Sequence, residues 1–518
     1  MRRRGMSLLA ASVAAVGLLA GCTAGPSDRP EIVVNDGPGG SPGTPGDAPT
    51  PAVPPLEEPQ RASIRWNTCP DNVLARIEQP PLPAGLGVQC GRVRSTMDSP
   101  YAPGRGFINV QVLKVGTGPI PLVVVNDVGG QPGMVYAARL ATTLPRDFFQ
   151  RFSLVGVDRR GTGNTEPPDC VPPEIRVEIV GTDPTGTDAD DWLDPAKTAG
   201  QQCQIELESK LPALDTWRTA VDLDTLRQAL GLPRLHAIGH GEGSRVLTVY
   251  ADRFPDRVGR FVLDGLPDAA QDAVIGLEDV AAGAQATWQA FAEDCVNRGC
   301  ELGADPHQAL PALLTQLRAQ PLSAPNGIRV GPGVAVRAVL VGLADRRAWP
   351  ALSAAIDAAR RGAGGGLGAL IAPVVLGTDG QSPTFDNELV VGCNDTRTRL
   401  TVEQLNGIAR DWTSKYPLFG TVIAHRLALC GVWPVPSTPV PTPTAKGAPP
   451  IVVLGTASDP VTPLPGTERA AGQLDNAVVV TWQGGGHGAL GYSSCATDAA
   501  RAFLIDGTVP RHGTACPP

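Results

Sequence analysis

Aromatic residues are scarce: Phe, Trp and Tyr make up only 4% of the 518 residues. Surfaces that stack nucleic-acid bases are built on such side chains, so an RNA- or carbohydrate-stacking role is not expected. An excess of basic charge is also missing. The formal net charge is −8, and removing Arg2, Arg3 and Arg4 would take it to −11. A nucleic-acid binder carries the opposite balance. No CxxC pair occurs and only six histidines are present, so neither a structural zinc site nor any other metal or cofactor is expected. Beyond the first 22 residues no apolar run reaches about 18 residues, the length a membrane-spanning helix needs. Gly and Pro, at 61 and 52 residues, fall short of the low-complexity range of roughly a quarter or more. The 42% hydrophobic content is enough for a large core. At about 150 residues per domain, the length suggests three domains.

What is present begins with an export signal. Arg2-Arg3-Arg4 is a positive start, and Met6 to Ala20 is an uncharged apolar stretch, the pattern of a secretory leader. It ends in Leu19-Ala20-Gly21-Cys22, which resembles a bacterial lipobox. The expectation is that residues 1–22 are a lipoprotein signal peptide and that Cys22 is lipidated. The chain would then be held to the outer face of the cytoplasmic membrane, in the cell envelope. Residues 23–60 carry ten prolines and little apolar periodicity, and read as an extended, disordered tether. Ten further cysteines follow, an even number that suggests disulfides in an exported chain. Their spacing suggests five local pairs, Cys69–Cys90, Cys170–Cys203, Cys295–Cys300, Cys393–Cys430 and Cys495–Cys516, although sequence alone leaves the connectivity open.

From about residue 105, short β-branched runs alternate with helical patterns. Gly106–Val115 alternates like an early strand, while Pro121–Asn126, Phe152–Asp158, Leu235–Gly239 and Val258–Asp264 are apolar runs of buried strands. Ala220–Leu230 and Gly243–Phe254 have helical spacing. Alternation of this kind predicts a mostly parallel sheet flanked by helices. Residues 267–440 are helical and Ala-rich, and strands resume with Ile451–Gly455 and Ala477–Trp482. The expected division is a core over 61–266, an inserted helical cap over 267–445, and the rest of the core over 446–518. A lid belongs at the carboxyl ends of the strands, where ligands bind.

The strand–turn–helix around Gly239-His240-Gly241-Glu242-Gly243-Ser244 looks like the nucleophile elbow of α/β-hydrolases, normally G-x-S-x-G. Asp158-Arg159-Arg160-Gly161-Thr162-Gly163, the helix from Asp222, the Ser458-Asp459-Pro460 loop, the Gly486-His487-Gly488 loop and the tail from Cys495 to Cys516 extend the likeness. Together they resemble exported actinobacterial peptidases of the tripeptidyl-aminopeptidase and proline-iminopeptidase branch, with its TAP-like C-terminal region. The match runs from about Trp66 to the end. The resemblance implies an α/β-hydrolase fold, a peptide or small acyl substrate, no cofactor, Asp459 as acid and His487 as base. Both would emerge at the carboxyl edge of the sheet, in the order nucleophile, acid, base. Oligomeric state is not legible.

The chain departs from that pattern at the nucleophile, where Gly241 has no hydroxyl. Ser244 is the one nearby substitute, placed for helix-start packing or as a displaced nucleophile. The oxyanion region departs too: Asn-Pro-Gly-Gly-Pro-Gly appears as Asn126-Asp127-Val128-Gly129-Gly130-Gln131-Pro132-Gly133. Backbone N–H groups of Gly129, Gly130 and Glu242 are the expected oxyanion donors. His240 reads as packing. The implied activities are therefore a hydrolase with an unusual nucleophile or an activated water, or a catalytically silent relative that binds peptides or envelope ligands beneath its cap. An architectural lipoprotein without a ligand is a third reading. Gly241→Ser is expected to rebuild a triad.

Overall fold

The computed structural model describes residues 52–77, 81–268, 272–377, 380–436 and 440–518. The leader, Cys22 and most of the expected tether lie outside them. Among the described residues nine strands share one sheet: β1 (Val88–Thr96), β2 (Phe107–Val115), β3 (Ile120–Val125), β4 (Phe152–Asp158), β5 (Leu235–His240), β6 (Val258–Asp264), β7 (Ile451–Ser458), β8 (Ala477–Gly485) and β9 (Thr514–Cys516). Their spatial order is 1-2-4-3-5-6-7-8-9. β2 is antiparallel to β1 and β4, and the pairs from β4 through β9 are all parallel. This is the α/β-hydrolase fold. β3, β4, β5 and β6 are buried at every position. That is why they read as unbroken apolar runs: helices cover both faces of a parallel sheet. The helices α1 (Gly133–Ala141), α2 (Thr216–Ala229) and α3 (Glu242–Arg253) follow strands β3, β4 and β5. Val155 and Val157 of β4 face one core with α2 and α3, while Phe152 and Leu154 face the other with α1.

Among the described residues between β6 and β7 there are eight α-helices, from Ala273–Arg298 to Gly420–Gly431, and a hairpin of two two-residue strands. Their apolar faces enclose a core of their own, with Trp288, Trp349 and Trp412 fully buried in it. That core has a second source. Residues from Cys170 to Leu214 pack into it, although the sequence reading assigned them to the sheet domain. Polar contacts lock the two parts together. Arg176 donates to Asp386 at 2.8 Å, and Asp386 accepts the N–H groups of Cys170 and Val171. Both charges are buried, and an unpaired charge there would be costly. The helical region between β6 and β7 and residues 170–214 thus share one core.

The tether's expected end at residue 60 also needs correction. Pro54 is buried and gives its carbonyl to Arg260 Nε at 3.0 Å, and Gln60 N–H donates to Gly231 O at 2.8 Å. Proline removes a donor but leaves its carbonyl free to accept, so a proline-rich strip can still satisfy a buried arginine. The ten cysteines form the bonds Cys69–Cys90, Cys170–Cys203, Cys295–Cys300, Cys393–Cys430 and Cys495–Cys516. No helix among the described residues is long and apolar enough to cross a membrane.

Candidate functional site

The turn from β5 into α3 is sharp because its glycines allow it. Gly241 sits at φ +53, ψ −122, a left-handed φ that strains any residue with a Cβ. A Cβ on Gly239 would meet the Ser244 backbone at 2.6 Å, and one on Gly243 would strike the Val125 carbonyl. The helix start is therefore pressed against β5 and β3. Gly241 N–H donates to Asp264 O at 3.1 Å, and its carbonyl accepts from Ser244 N–H at 2.8 Å. The result is a strand–turn–helix that thrusts residue 241 out at the carboxyl edge of the sheet.

Asp459 and His487 meet there. His487 Nδ1 lies 3.1 and 3.0 Å from the two Asp459 carboxylate oxygens. Asp459 is held in turn by the N–H groups of Val461, Thr462 and Gly488 and by the Thr462 hydroxyl. The His487 backbone N–H donates to Ala344 O at 2.7 Å, which ties the loop to the helix Pro332–Ala344. The carboxylate and the imidazole are thus paired at the carboxyl edge of the sheet.

The other side of the imidazole differs. Asp127 Oδ2 lies 2.8 Å from His487 Nε2, and Asp127 Oδ1 accepts the Glu242 N–H at 2.6 Å. A Cβ built on Gly241 would land on that same carboxylate, far inside contact distance. Asp127 therefore fills the space above the elbow and occupies the backbone donor expected to serve an oxyanion. Gly130 lies against it, with a built Cβ 3.2 Å from Asp127 Cβ, while Gly129 faces Glu388 of the cap. Ser244 is fully buried, and its hydroxyl has no hydrogen-bond partner. Nothing activates it as a displaced nucleophile.

The charges follow from these contacts. Burial alone raises the Asp127 carboxyl, but the His487 charge and hydrogen bond, His240 and the Glu242 N–H together bring it down to about 2. Burial lowers His487, yet Asp459 and Asp127 outweigh it and hold the imidazole well above its ordinary value. A carboxylate at each ring nitrogen favours the doubly protonated imidazolium form of His487. An imidazolium cannot take a proton from a hydroxyl.

His240 belongs to the same cluster, which sequence reading missed by treating it as packing. Its ring stacks on Tyr136 with centroids 4.8 Å apart and lies 4.2 Å from the His487 ring. Its Nδ1 is 3.3 Å from Asp264 Oδ2, off the direction of a good hydrogen bond. Its Nε2 is 4.0 Å from Asp127 Oδ2. Gly488, at φ +81, makes room for this, since a Cβ there would meet His240 Cε1 at 2.6 Å. The usable signal was the pair of departures, Gly241 and Asp127, in segments that both end strands at one sheet edge.

Comparisons with known proteins agree with this architecture. Residues 416–516 match the family described as TAP-like protein. The chain is 27% identical over 494 residues to serine protease Hip1 of Mycobacterium tuberculosis, covering 90% of this chain and 92% of that one. It is 27% identical over 481 residues to the tripeptidyl aminopeptidase of Streptomyces lividans, covering 88% and 87%. Carboxylesterase B of Mycobacterium tuberculosis is 28% identical over 506 residues, covering 92% and 93%. Together with the strand order, these likenesses support an α/β-hydrolase of the kind found in actinobacteria.

Proposed function

We propose that this is an exported, lipid-anchored protein of the peptidase-like α/β-hydrolase kind that binds peptide or small acyl ligands beneath its cap without forming an acyl-enzyme. One observation carries the reading: the Asp127 carboxylate stands where a nucleophilic hydroxyl belongs, bonded to both His487 Nε2 and the Glu242 N–H. A serine route needs a free base and an open oxyanion donor, and one side chain occupies both. Similarity to a serine protease and an aminopeptidase supports a peptide as the ligand class. Arg159, buried beside Glu242 with Nε and Nη1 unpartnered, offers donors for a ligand oxygen. Export is supported by the Arg2–Cys22 leader and by five disulfides, and Cys22→Ala is expected to release the protein from membranes. Fluorophosphonate labelling and aminoacyl-anilide hydrolysis test the central point. The mature chain should give no adduct and no burst, while a fluorescent tripeptide binds saturably. A stoichiometric adduct abolished by Ser244→Ala would overturn the reading.

A further inference from the structure

We infer that Asp127, His240 and His487 form a binding site for a divalent cation of the zinc type. The donor atoms of the three side chains lie within 4.8 Å of one another and are largely buried. Two separations from Asp127 Oδ2 are 2.8 Å to His487 Nε2 and 4.0 Å to His240 Nε2. Ligands bound at 2.0–2.1 Å to a tetrahedral ion lie about 3.3 Å apart, a figure these two distances bracket.

A second feature points the same way. Metal-bound histidines almost always present their other ring nitrogen to a carboxylate, carbonyl or water, which fixes the tautomer and aims the free lone pair. His487 Nδ1 is hydrogen-bonded to Asp459, and the Asp264 carboxylate lies 3.3 Å from His240 Nδ1, close behind the ring but off the direction of a good hydrogen bond. Asp264 is itself pinned by the N–H groups of Ala489 and Leu490. Both Nε2 atoms then lie toward one carboxylate oxygen. A metal ion bound at His487 Nε2 replaces the proton there, which leaves to solvent.

Two histidines and one aspartate are three protein ligands, a set that leaves one tetrahedral position for water or for an oxygen of a bound ligand. The site does not depend on the ligand class proposed above, because metal uptake is measured directly. The experiment uses the untagged mature chain, stripped with a chelator and titrated with Co²⁺. One equivalent should bind, with the visible d–d absorption of a four- or five-coordinate ion, and Zn²⁺ should displace it. His240→Gln and Asp127→Asn should each weaken binding by about 100-fold or more, and Asp264→Asn by about 10- to 100-fold through the histidine it backs. Circular dichroism establishes that each variant is folded. Absence of stoichiometric Co²⁺ uptake by the folded wild type would overturn the site, as would uptake that His240→Gln leaves unchanged. Neither result bears on tripeptide binding or fluorophosphonate labelling.

Discussion

Placing serine at position 241 should not by itself restore a hydrolase. The new Cβ would overlap the Asp127 carboxylate, and the left-handed φ of +53 would cost a side-chain-bearing residue about 1–3 kcal/mol. Moving the carboxylate aside forfeits its bonds to Glu242 N–H and His487 Nε2, each worth about 1.5–3 kcal/mol as a charged hydrogen bond. The total, about 4–9 kcal/mol, is comparable with the whole stability of a typical domain, about 5–15 kcal/mol. Gly241→Ser alone should therefore unfold at much lower denaturant and stay inert, contrary to the simple expectation from sequence. Adding Asp127→Gly removes the overlap and frees both the imidazole and the Glu242 N–H. The hydroxyl then enters the space the carboxylate left, 2.8 Å or so from His487 Nε2. Hydrolysis of small acyl esters should rise at least about 10²-fold, a part of the roughly 10⁶ that a full triad supplies. Adding His487→Ala should abolish the gain. Equal denaturant midpoints for wild type and Gly241→Ser would refute the reasoning, as would equal activity in the single and double variants.

Two further perturbations probe the scaffold. His236 is buried and accepts the Arg260 N–H at Nδ1, 3.1 Å away, so its folded form is neutral. Burial, with the charges of Arg260 and Arg234, depresses its pKa to about 4, against about 6.5 when unfolded. Stability from this group is thus complete above pH 6.5 and should fall by up to about 3 kcal/mol as pH drops toward 4, because only the unfolded chain takes up the proton. Urea midpoints across that window should show the slope, and His236→Gln should flatten it; an unchanged slope would count against the assignment. Cys393–Cys430 closes a separation of 37 residues and Cys295–Cys300 one of 5. Loop entropy makes the longer link worth about 2 kcal/mol more. Paired alanine substitutions should differ by that much in unfolding free energy, and equal losses would contradict the entropic account.

How far these features were legible depended on whether local residues decide them. β4 and β6 were read with their observed limits because a strand buried on both faces is apolar throughout. β1 was missed: its burial alternates, and its residues, VQCGRVRST, put charges on the open face of an edge strand. The elbow was readable because Gly239, Gly241 and Gly243 answer local close approaches. The first part of the cap was not, because the helix Pro173–Gly181 has little one-sided apolar character and carries Arg176. That charge makes sense only beside Asp386, 210 residues away.

Asp127 shows the same limit at the site, and it also links the two departures. Read singly, Gly241 is a lost nucleophile and Asp127 a substitution in an oxyanion loop. In space each accounts for the other. The carboxylate can bond His487 and Glu242 only because position 241 has no Cβ, and glycine at 241 leaves no gap because the carboxylate fills it. A serine residue lost with nothing in its place would leave His487 facing an empty polar niche. Instead the imidazole is ion-paired at both nitrogens, beside a second histidine that has its own carboxylate. Loss of a nucleophile does not require that arrangement. A cation held among two histidines and an aspartate would make use of it, taking the place of the proton on His487 Nε2.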